Sequence, residues 1–168
     1  MRDAALPIMG KPTSWLEIQF ATDDVDVPST SDFECWASKV FDYLQVPVGP
    51  VVVRLVNEVE MQALNREYRN IDKPTNVLSF SLSDPVSDSF LLEPLLGDIV
   101  ICVPIVLSEA NKQHKQWLAH WAHMLVHGLL HLLGYDHEDI IQAEEMESLE
   151  TSLLQQLGFP SPYLDSTT

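Results

Sequence analysis

The stretch HGLLHLLGYDH, His127 to His137, decides how this chain folds and where its chemistry lies. His127 and His131 are four residues apart, so a helix places them on one face, one turn apart. Gly134 is predicted to end this helix, because glycine adopts the left-handed conformation after a helix at the least steric cost. The chain then reverses and brings His137 back towards the other two imidazoles. The spacing therefore predicts a metal site of three histidines with one open coordination position, as in catalytic zinc sites.

A competing ligand set arises because His123, His127 and His131 follow each other at intervals of four residues. A helix rises about 1.5 Å per residue, so His123 and His131 would lie about 12 Å apart along its axis and could not share one ion. A single histidine in an apolar helix is usually a hydrogen-bonded core residue. Three histidines with the spacing of His127, His131 and His137 are more typical of metal ligands. His120 and His123 are therefore expected outside the ligand shell, as supporting, interface or exposed residues.

Position 128 separates this chain from the zinc proteases known as metzincins. Their motif, H-E-x-x-H-x-x-G-x-x-H, has the same spacing, and its glutamate is the general base of peptide hydrolysis. This chain carries Gly128 at that position. A bound metal could still acidify water and polarise a phosphoryl or carbonyl oxygen. The chain lacks the glutamate that takes up the proton of the metal-bound water in these proteases, so the sequence disfavours proteolysis.

Length and composition indicate one globular domain with a substantial core, because 46% of the 168 residues are hydrophobic. We expect residues 1–14 to be a flexible leader without a secretory signal, and residues 15–168 to form the domain. No apolar run is long enough to span a membrane. Cys35 and Cys102 lie in apolar surroundings far apart in sequence, which predicts two buried free thiols in a reducing compartment. The expected location is the cytoplasm.

The charge distribution bears on nucleic-acid binding. The net charge of −16 argues against a general affinity for nucleic acid, because phosphates are bound through cations. Four of the nine basic residues nevertheless fall within twenty positions, namely Arg54, Arg66, Arg69 and Lys73. A local basic groove on an acidic body is therefore compatible with the sequence.

Hydrophobic periodicity predicts four short strands interleaved with helices. The strands are expected at 15–21, 51–56, 77–82 and 97–103, and the helices at 31–45, 57–68, from 104 onwards, 116–133 and 139–157. Residues 83–96 suit an exposed irregular connection. The pattern predicts an α+β fold, with a small mixed four-stranded sheet flanked by helices. Strands joined by long helical connections should pair in parallel, whereas an edge strand is free to run the other way.

Local signals refine the helix boundaries. Ser31 is expected to cap the first helix, and Asn57 with Glu60 resembles a capping box at the start of the second. Pro104 suits the first position of the third helix. In the last helix an apolar stripe is predicted to face the core, formed by Ile140, Ile141, Met146, Leu149, Leu153 and Leu157.

Arg69 ends the second helix just before a loop that contains Lys73 and Asn76. A guanidinium in this position can hold a phosphate through two hydrogen bonds, but it can equally be a solvated surface arginine. Asp136, beside a proposed ligand, can orient an imidazole, accept a proton or stabilise a turn. Packing, surface or turn roles suit three further polar residues, Asn65, Tyr68 and Thr75.

Four segments together resemble the YbeY family of bacterial endoribonucleases. They are HGLLHLLGYDH, LNREYRNIDKPTNVLSF (64–80), LLGDIVIC (95–102) and AEEMESLE (143–150). The likeness covers about 51–163, in the motif order of the family, and the histidine block is highly specific. Many members have aspartate where this chain has Asn76, so a role for that side chain is not carried over.

The resemblance implies a single-strand-specific, metal-dependent endoribonuclease that acts in 3′-end maturation of small-subunit (16S) rRNA and in ribosome quality control. It also implies zinc, or another divalent metal, on His127, His131 and His137, and a functional arginine at Arg69. The implied fold is similar to that of the zinc proteases in its metal-binding helix. The implied substrate is single-stranded rRNA. The acidic charge predicts basic ribosomal or ribosome-assembly proteins as partners, and neither a membrane nor DNA is expected as a partner.

The resulting hypothesis has Arg69 and His127 as candidate catalytic residues. A metal on the histidines binds the scissile phosphate or activates water for attack on it, while Arg69 stabilises the charge that develops. Attack by the ribose 2′-hydroxyl is the alternative, and it would yield a cyclic phosphate. Two other classes stay open: a non-catalytic ribosome-assembly factor with a structural metal, and a metal hydrolase of another substrate such as peptides.

Overall fold

The computed structural model describes residues 15–81 and 96–163, and these form one sheet and five helices. The strands are β1 (Leu16–Ala21), β2 (Val51–Val56), β3 (Val77–Ser81) and β4 (Gly97–Cys102). The helices are α1 (Thr30–Leu44), α2 (Glu58–Arg69), α3 (Val103–Lys112), α4 (Trp117–Leu132) and α5 (Ile140–Gln156). The predicted leader 1–14 and nearly all of the predicted connection 83–96 lie outside the described residues.

The sheet is mixed and has the order β1-β2-β4-β3. β1 pairs parallel with β2, and β2 pairs parallel with β4, so that Val51 lies between Leu16 and Gly97. β3 is an edge strand that runs antiparallel to β4, with Ser79 opposite Ile99. Parallel strands need a long crossover connection, and α1 supplies it between β1 and β2. The predicted α+β fold is confirmed, including the reversed edge strand.

Helices pack on both faces of the sheet. Alternate residues of β4 point to opposite faces: Ile99 and Ile101 belong to the large core, whereas Val100 and Cys102 face a smaller cluster beside α2. The large core joins the sheet to α1, α4 and α5 through Phe33, Phe41, Leu55, Trp121, Leu125, Leu129, Met146 and Leu153. α4 is buried on nearly every side, which is why its sequence is apolar apart from its histidines.

Helix α1 begins at a different cap from the one predicted. Ser29, not Ser31, is the N-cap, because its Oγ accepts a hydrogen bond from the backbone N–H of Asp32 at 3.0 Å. Both serines satisfy the capping preference, and they lie two residues apart. The direction from which the chain enters the helix decides between them, and that direction depends on tertiary structure.

The predicted capping box of α2 is absent. Asn57 is the N-cap residue but makes no side-chain capping bond, and its Oδ1 instead accepts from the Thr22 hydroxyl at 2.6 Å. The carboxylate of Glu60 accepts from Nε and Nη2 of Arg54 on β2, at 2.6 and 3.1 Å. Contacts with a neighbouring loop and strand have therefore replaced the local cap.

Two predictions about burial are wrong. Cys35 is exposed, whereas Cys102 is buried as expected. Ile140 and Ile141 are each 78% exposed, although the apolar stripe of the last helix predicted them in the core. They begin α5 beyond the edge of the packed core, and the helix is first fully buried at Met146.

Within residues 15–81 and 96–163, no helix is both long and apolar enough to cross a membrane.

Candidate active site

A sharp turn after α4 brings the third histidine of the opening motif back to the helix. Gly134 has a φ of 103°, in the left-handed region that favours glycine. The backbone N–H groups of Gly134 and Tyr135 donate to the carbonyls of His131 and Leu130, at 3.1 and 2.9 Å. These are the two bonds of a Schellman motif. The turn reverses the chain and places His137 beside the end of α4.

His127, His131 and His137 meet in one group, called the histidine cluster below. One ring nitrogen of each lies within 4.8 Å of the others, and the Nε2 atoms of His127 and His131 are 3.1 Å apart. Zinc binds imidazole nitrogens at about 2.0–2.1 Å, so two ligands of a tetrahedral site lie about 3.4 Å apart. Imidazole donors also suit copper, iron and nickel. The cluster therefore fits a transition-metal ion such as zinc.

The surroundings of the histidine cluster favour neutral imidazole at its centre. Burial lowers the pKa of His131, and the neighbouring His127 and His137 lower it further. The neutral ring is the form that binds a metal. The carboxylate of Asp136 accepts a hydrogen bond from the backbone N–H of His137 at 2.8 Å, and this bond is the main cause of the lowered pKa of Asp136. Of the roles considered for Asp136, this bond supports that of a turn residue.

A second potential ligand group, His123, His127 and Glu150, lies behind the histidine cluster. Buried Glu150 is bonded to His123 Nε2 at 2.6 Å and to His127 Nδ1 at 2.7 Å. The hydroxyl of Tyr163 also donates to this carboxylate. These are hydrogen-bond lengths, well below the about 3.4 Å expected between two zinc ligands. The group is therefore a hydrogen-bonded network, called the Glu150 network below, rather than a second metal site.

The charges in the Glu150 network follow from its contacts. Burial alone would raise the pKa of Glu150, but the hydrogen bonds from His123 and His127 outweigh burial and lower that pKa to about 2. Burial lowers the pKa of His123 in spite of its bond to Glu150. Burial and the adjacent carboxylate raise the pKa of Tyr163. Near neutral pH, Glu150 is thus ionised while His123 and Tyr163 are neutral.

Sequence reasoning did not single out Glu150 or Tyr163 as functional. Glu150 lies on the buried side of α5, four residues after Met146 and close to Leu153 and Leu154. A carboxylate within an apolar helical stripe is a signal for a buried polar partner, and this signal was available in the sequence. Tyr163 follows the helix in an irregular segment, and no periodicity points to it.

The histidine cluster opens into a groove of about 550 Å³. The edge strand β3, the loop before it, the end of α2 and the turn after α4 form its walls. Its polar and charged lining consists of Arg69, Thr75, Asn76, Ser79, Ser81, His127, His131, Asp136, His137 and Glu138. Clefts of this size are typical of ligand sites. The structure thus brings Arg69 and the three histidines, all named from the sequence, to one surface.

Only Arg69 of the four clustered basic residues lines the groove. Arg54 pairs with Glu60 at 2.6 Å, and Arg66 lies 3.7 Å from Asp72. In the part of the chain that the structure describes, no carboxylate lies within ion-pair distance of Arg69. Among the described residues, the local basic groove compatible with the sequence therefore reduces to one guanidinium, and no described carboxylate competes with an anion for it.

Asn76 connects the groove to the interior. Its Nδ2 donates to both carboxylate oxygens of Glu109, at 3.2 and 3.3 Å, and Glu109 is also bonded to Nε2 of buried His120 at 2.9 Å. The bond with His120 is the main cause of the lowered pKa of Glu109. Asn65 is buried as well and donates to the backbone carbonyl of Lys73 at 2.8 Å. This bond holds the loop that leads to Asn76.

Gly128 faces the sheet rather than the groove. A Cβ atom at this position would lie 2.8 Å from Cγ2 of Ile99 and 3.2 Å from Oγ of Ser79. The Ser79 hydroxyl donates to the carbonyl of Gly128 at 3.0 Å. α4 thus approaches β3 and β4 so closely that a side chain has no room. The position of the metzincin general base cannot hold a glutamate in this packing.

Proteins similar to this chain point to one family. The family model described as Endoribonuclease YbeY matches residues 17–158. An Alcanivorax borkumensis protein named Endoribonuclease YbeY is 47% identical over 155 residues, covering 92% of this chain and 89% of that protein. The solution structure of TM1509 from Thermotoga maritima has a similar fold, with a TM-score of 0.51, 24% identity, and coverage of 90% of this chain and 99% of the other. Because the family model and the 47% identity both extend over most of its length, the chain belongs to the YbeY endoribonuclease family.

Proposed function

We propose that this chain is a zinc-dependent endoribonuclease that cuts single-stranded RNA. Membership of the YbeY family supports endoribonuclease chemistry. The observation that carries the proposal is the meeting of the histidine cluster and Arg69 in one groove. A metal-binding cluster beside a guanidinium that has no described carboxylate partner is suited to a phosphodiester, because both can neutralise its charge.

Arg69 and His127 are the residues proposed for catalysis. A divalent metal on the histidine cluster, when bound, polarises a phosphate oxygen and acidifies water. His127 supplies one of the three ligand nitrogens. Arg69 binds the non-bridging oxygens of the scissile phosphate with its planar fork and stabilises the negative charge that grows in the transition state.

The cut ends identify the nucleophile. Attack by water breaks a P–O bond and leaves a phosphate monoester on one end and a hydroxyl group on the other. Attack by the neighbouring ribose 2′-hydroxyl breaks the bond to the 5′-oxygen and leaves a 2′,3′-cyclic phosphate and a 5′-hydroxyl. Mass spectrometry of the products separates the two routes.

The proposed biological substrate is small-subunit (16S) rRNA in the cytoplasm, cut during 3′-end maturation and in ribosome quality control. The net charge of −16 suits basic ribosomal and ribosome-assembly proteins as partners, because complementary charge favours association. We assign the activity to one domain over residues 15–168. A pull-down at moderate salt should recover ribosomal proteins, and recovery of none contradicts the partner assignment.

Cleavage of a labelled single-stranded RNA tests the enzymatic proposal, with bound metal measured by elemental analysis. His131→Ala should lose both metal and cleavage. Arg69→Ala should keep its metal and cut about 10²- to 10³-fold more slowly, the usual loss for one transition-state donor. The controls are Arg66→Ala, one turn earlier on α2 and paired with Asp72, and His114→Asn, which is exposed outside the groove. Both controls should cut like wild type.

The outcomes separate the rival functions. Equal cleavage by wild type and every variant would identify a contaminating nuclease and contradict the proposal. Absence of cleavage by wild type that holds one metal per chain would favour a non-catalytic assembly factor. Peptide cleavage by the metal-loaded protein would support another hydrolase, although the packing around Gly128 leaves no place for the protease general base.

A further inference from the structure

The Glu150 network lies behind the histidine cluster, and of its members only His127 has a part in the proposed chemistry. Glu150 is 1% exposed on α5, and His123 and His127 reach it from α4 with bonds of 2.6 and 2.7 Å. Tyr163 donates its hydroxyl to the same carboxylate. Two helices and the segment after α5 therefore meet on one buried anion directly behind a proposed metal ligand.

The donors and acceptors of this network determine the protonation of His127. An ionised carboxylate can only accept hydrogen bonds, and Tyr163 has a single O–H to donate. Nδ1 of His127 must then carry the ring proton, because it lies 2.7 Å from Glu150 Oε2. Nε2 of His127 then carries a lone pair instead of a proton, and it lies 3.1 Å from Nε2 of His131, inside the histidine cluster.

The same argument applies to His123, whose ring nitrogen faces the other oxygen of the Glu150 carboxylate. Its Nε2 lies 2.6 Å from Glu150 Oε1, and its buried Nδ1 has no hydrogen-bond partner among the described residues. A neutral ring with its proton on Nε2 satisfies this arrangement, since no buried N–H is then left without an acceptor. His123 therefore acts as a second donor to Glu150 and competes for no metal.

We propose that Glu150 is a positioning residue that holds the Nδ1–H tautomer and the orientation of His127, so that Nε2 of His127 faces the metal. Carboxylate–histidine–metal arrangements act in this way, by making the ligand nitrogen more basic and holding its ring in place. The inference rests on the proposed function in one respect, because it takes His127 as a metal ligand. The tautomer of His127 is inferred from its contact with Glu150, and that contact involves no metal.

Residues 158–163, the C-terminal segment, close this network. Nζ of Lys115, in the loop before α4, donates to the carbonyl of Pro162 at 2.9 Å. The ring of Phe159 packs edge-on against Trp36 of α1, with centroids 6.2 Å apart. These two contacts place Tyr163 over Glu150. The C-terminal segment thus contributes to the proposed metal site without reaching its groove.

Two measurements on Glu150→Gln test the proposal: histidine tautomers by ¹⁵N NMR on metal-free protein, and zinc affinity by chelator competition. A glutamine side chain keeps the shape of glutamate, but its amide has one oxygen that accepts hydrogen bonds and one NH₂ group that only donates them. The NH₂ group must therefore face Tyr163 or an imidazole N–H, both of which are donors to Glu150 in wild type. Glu150→Gln should reduce the Nδ1–H tautomer of His127 and raise the Kd for zinc about 10- to 100-fold. The matched control is Glu144→Gln, exposed on the same helix, which should match wild type in both readouts.

Tyr163→Phe provides a milder second variant if Glu150→Gln does not fold. It removes one donor and keeps the carboxylate with both of its imidazole partners. The proposal requires that Tyr163→Phe retain the Nδ1–H tautomer of His127 with a smaller loss of zinc affinity. Circular dichroism of the metal-free proteins verifies that each variant is folded.

Three results would overturn the positioning role. The first is a wild-type His127 that carries its proton on Nε2. The second is a Glu150→Gln protein with the wild-type tautomer and zinc affinity. The third is wild type with two zinc ions per chain, one of which is lost in Glu150→Gln, because Glu150 would then be a ligand.

Failure of the proposed function gives a different pattern. Wild type that binds no zinc, while Glu150→Gln still shifts the His127 tautomer, contradicts the metal site but keeps the positioning of the ring. Zinc-loaded wild type that cuts no RNA contradicts the nuclease activity alone.

Discussion

Single polar side chains link the groove to the interior of the molecule. Asn76 forms part of the groove wall, yet its amide bonds to Glu109, which also bonds to buried His120. Next to a carboxylate the orientation of an amide is defined, because only its NH₂ group can donate. Asn76 is therefore matched to Glu109 in this chain, and an aspartate in its place would face another carboxylate.

Asn76→Asp should lower the free energy of unfolding at pH 7 by about 1–3 kcal/mol, because it replaces two hydrogen bonds with a contact between like charges. Glu109→Gln should also be destabilising, since His120 loses its charged acceptor. The double variant again pairs an amide with a carboxylate. It should be more stable than the sum of the single effects by at least about 0.5 kcal/mol. Urea unfolding of the four proteins gives this coupling energy.

The pH dependence of Glu109→Gln provides the control for this prediction. The folded protein has a Glu109 pKa below the ordinary value of 4.5, so the unfolded chain takes up this proton more readily. The stability contributed by Glu109 is therefore present above pH 4.5 and is lost as the pH falls through the folded pKa. The difference between wild type and Glu109→Gln should shrink in acid. A constant difference, or a strictly additive double variant, contradicts the pairing.

At the scale of elements, helix ends and one close helix–sheet contact position the groove. The turn at Gly134 brings His137 to the histidine cluster. Asn70, with a φ of 60°, ends α2 directly after Arg69. Gly128 lets α4 lie against β3 and β4. These are backbone features, so their effects on stability can be measured separately from the chemistry of the site.

Ser29→Ala should lower the free energy of unfolding by about 1 kcal/mol, because the N–H of Asp32 loses its capping acceptor. Ser31→Ala is the matched control, since Ser31 is exposed inside α1, where alanine is the better helix former. This control should be neutral or slightly more stable than wild type. Thermal unfolding measures both variants, and an equal loss in the two would mean that Ser29 is not the cap.

Gly128→Glu should unfold the protein more easily and should not create a peptidase. The carboxylate would enter the contact with Ile99 without a partner, and an uncompensated buried charge costs about 3–5 kcal/mol. Gly128→Ala measures the steric contribution to this loss of stability. Overpacking should lower the free energy of unfolding by about 1–3 kcal/mol, and the higher helix propensity of alanine should raise it by about 1 kcal/mol. Urea unfolding and a peptide-cleavage assay test both. Wild-type stability of Gly128→Glu would contradict the close packing.

At the scale of the whole molecule, the apolar core and the histidine cluster are separate. The large core unites the sheet with α1, α4 and α5 through apolar side chains. His127 and His131 are partly buried and His137 is exposed, so the cluster lies at the surface end of a well-packed helix. We therefore expect this fold to form without bound metal, unlike that of small zinc domains.

Removal of the metal by a chelator should abolish RNA cleavage and leave the fold in place. The far-ultraviolet circular dichroism should persist, while Tm falls because metal binding stabilises the folded state by about 4 kcal/mol at a thousandfold excess over Kd. Cleavage should return when zinc is added back. Unfolding upon chelation would instead identify a structural metal and favour the assembly factor.

Local spacing in the chain is enough to predict most elements and the three-histidine motif. β2 occupies residues Val51–Val56, as its apolar run indicates, and α4 differs from its predicted bounds by one residue at each end. The meeting of His127, His131 and His137 follows from a four-residue interval and one glycine turn. These features depend on interactions within a few residues, and such interactions can be read along the chain.

Contacts between distant segments determine the features of the site and the fold that could not be predicted from the sequence. Glu150 reaches His127 across 23 residues and two helices, and Tyr163 reaches Glu150 from beyond the end of α5. Arg69 is distinguished from Arg54 and Arg66 by its place in the groove wall and by the absence of a carboxylate neighbour among the described residues. The choice of cap in α1 depends on the direction from which the chain enters the helix, and the exposure of the first turn of α5 depends on where the packed core ends. The pairing of side chains from distant segments is a property of packing, and no local pattern encodes it.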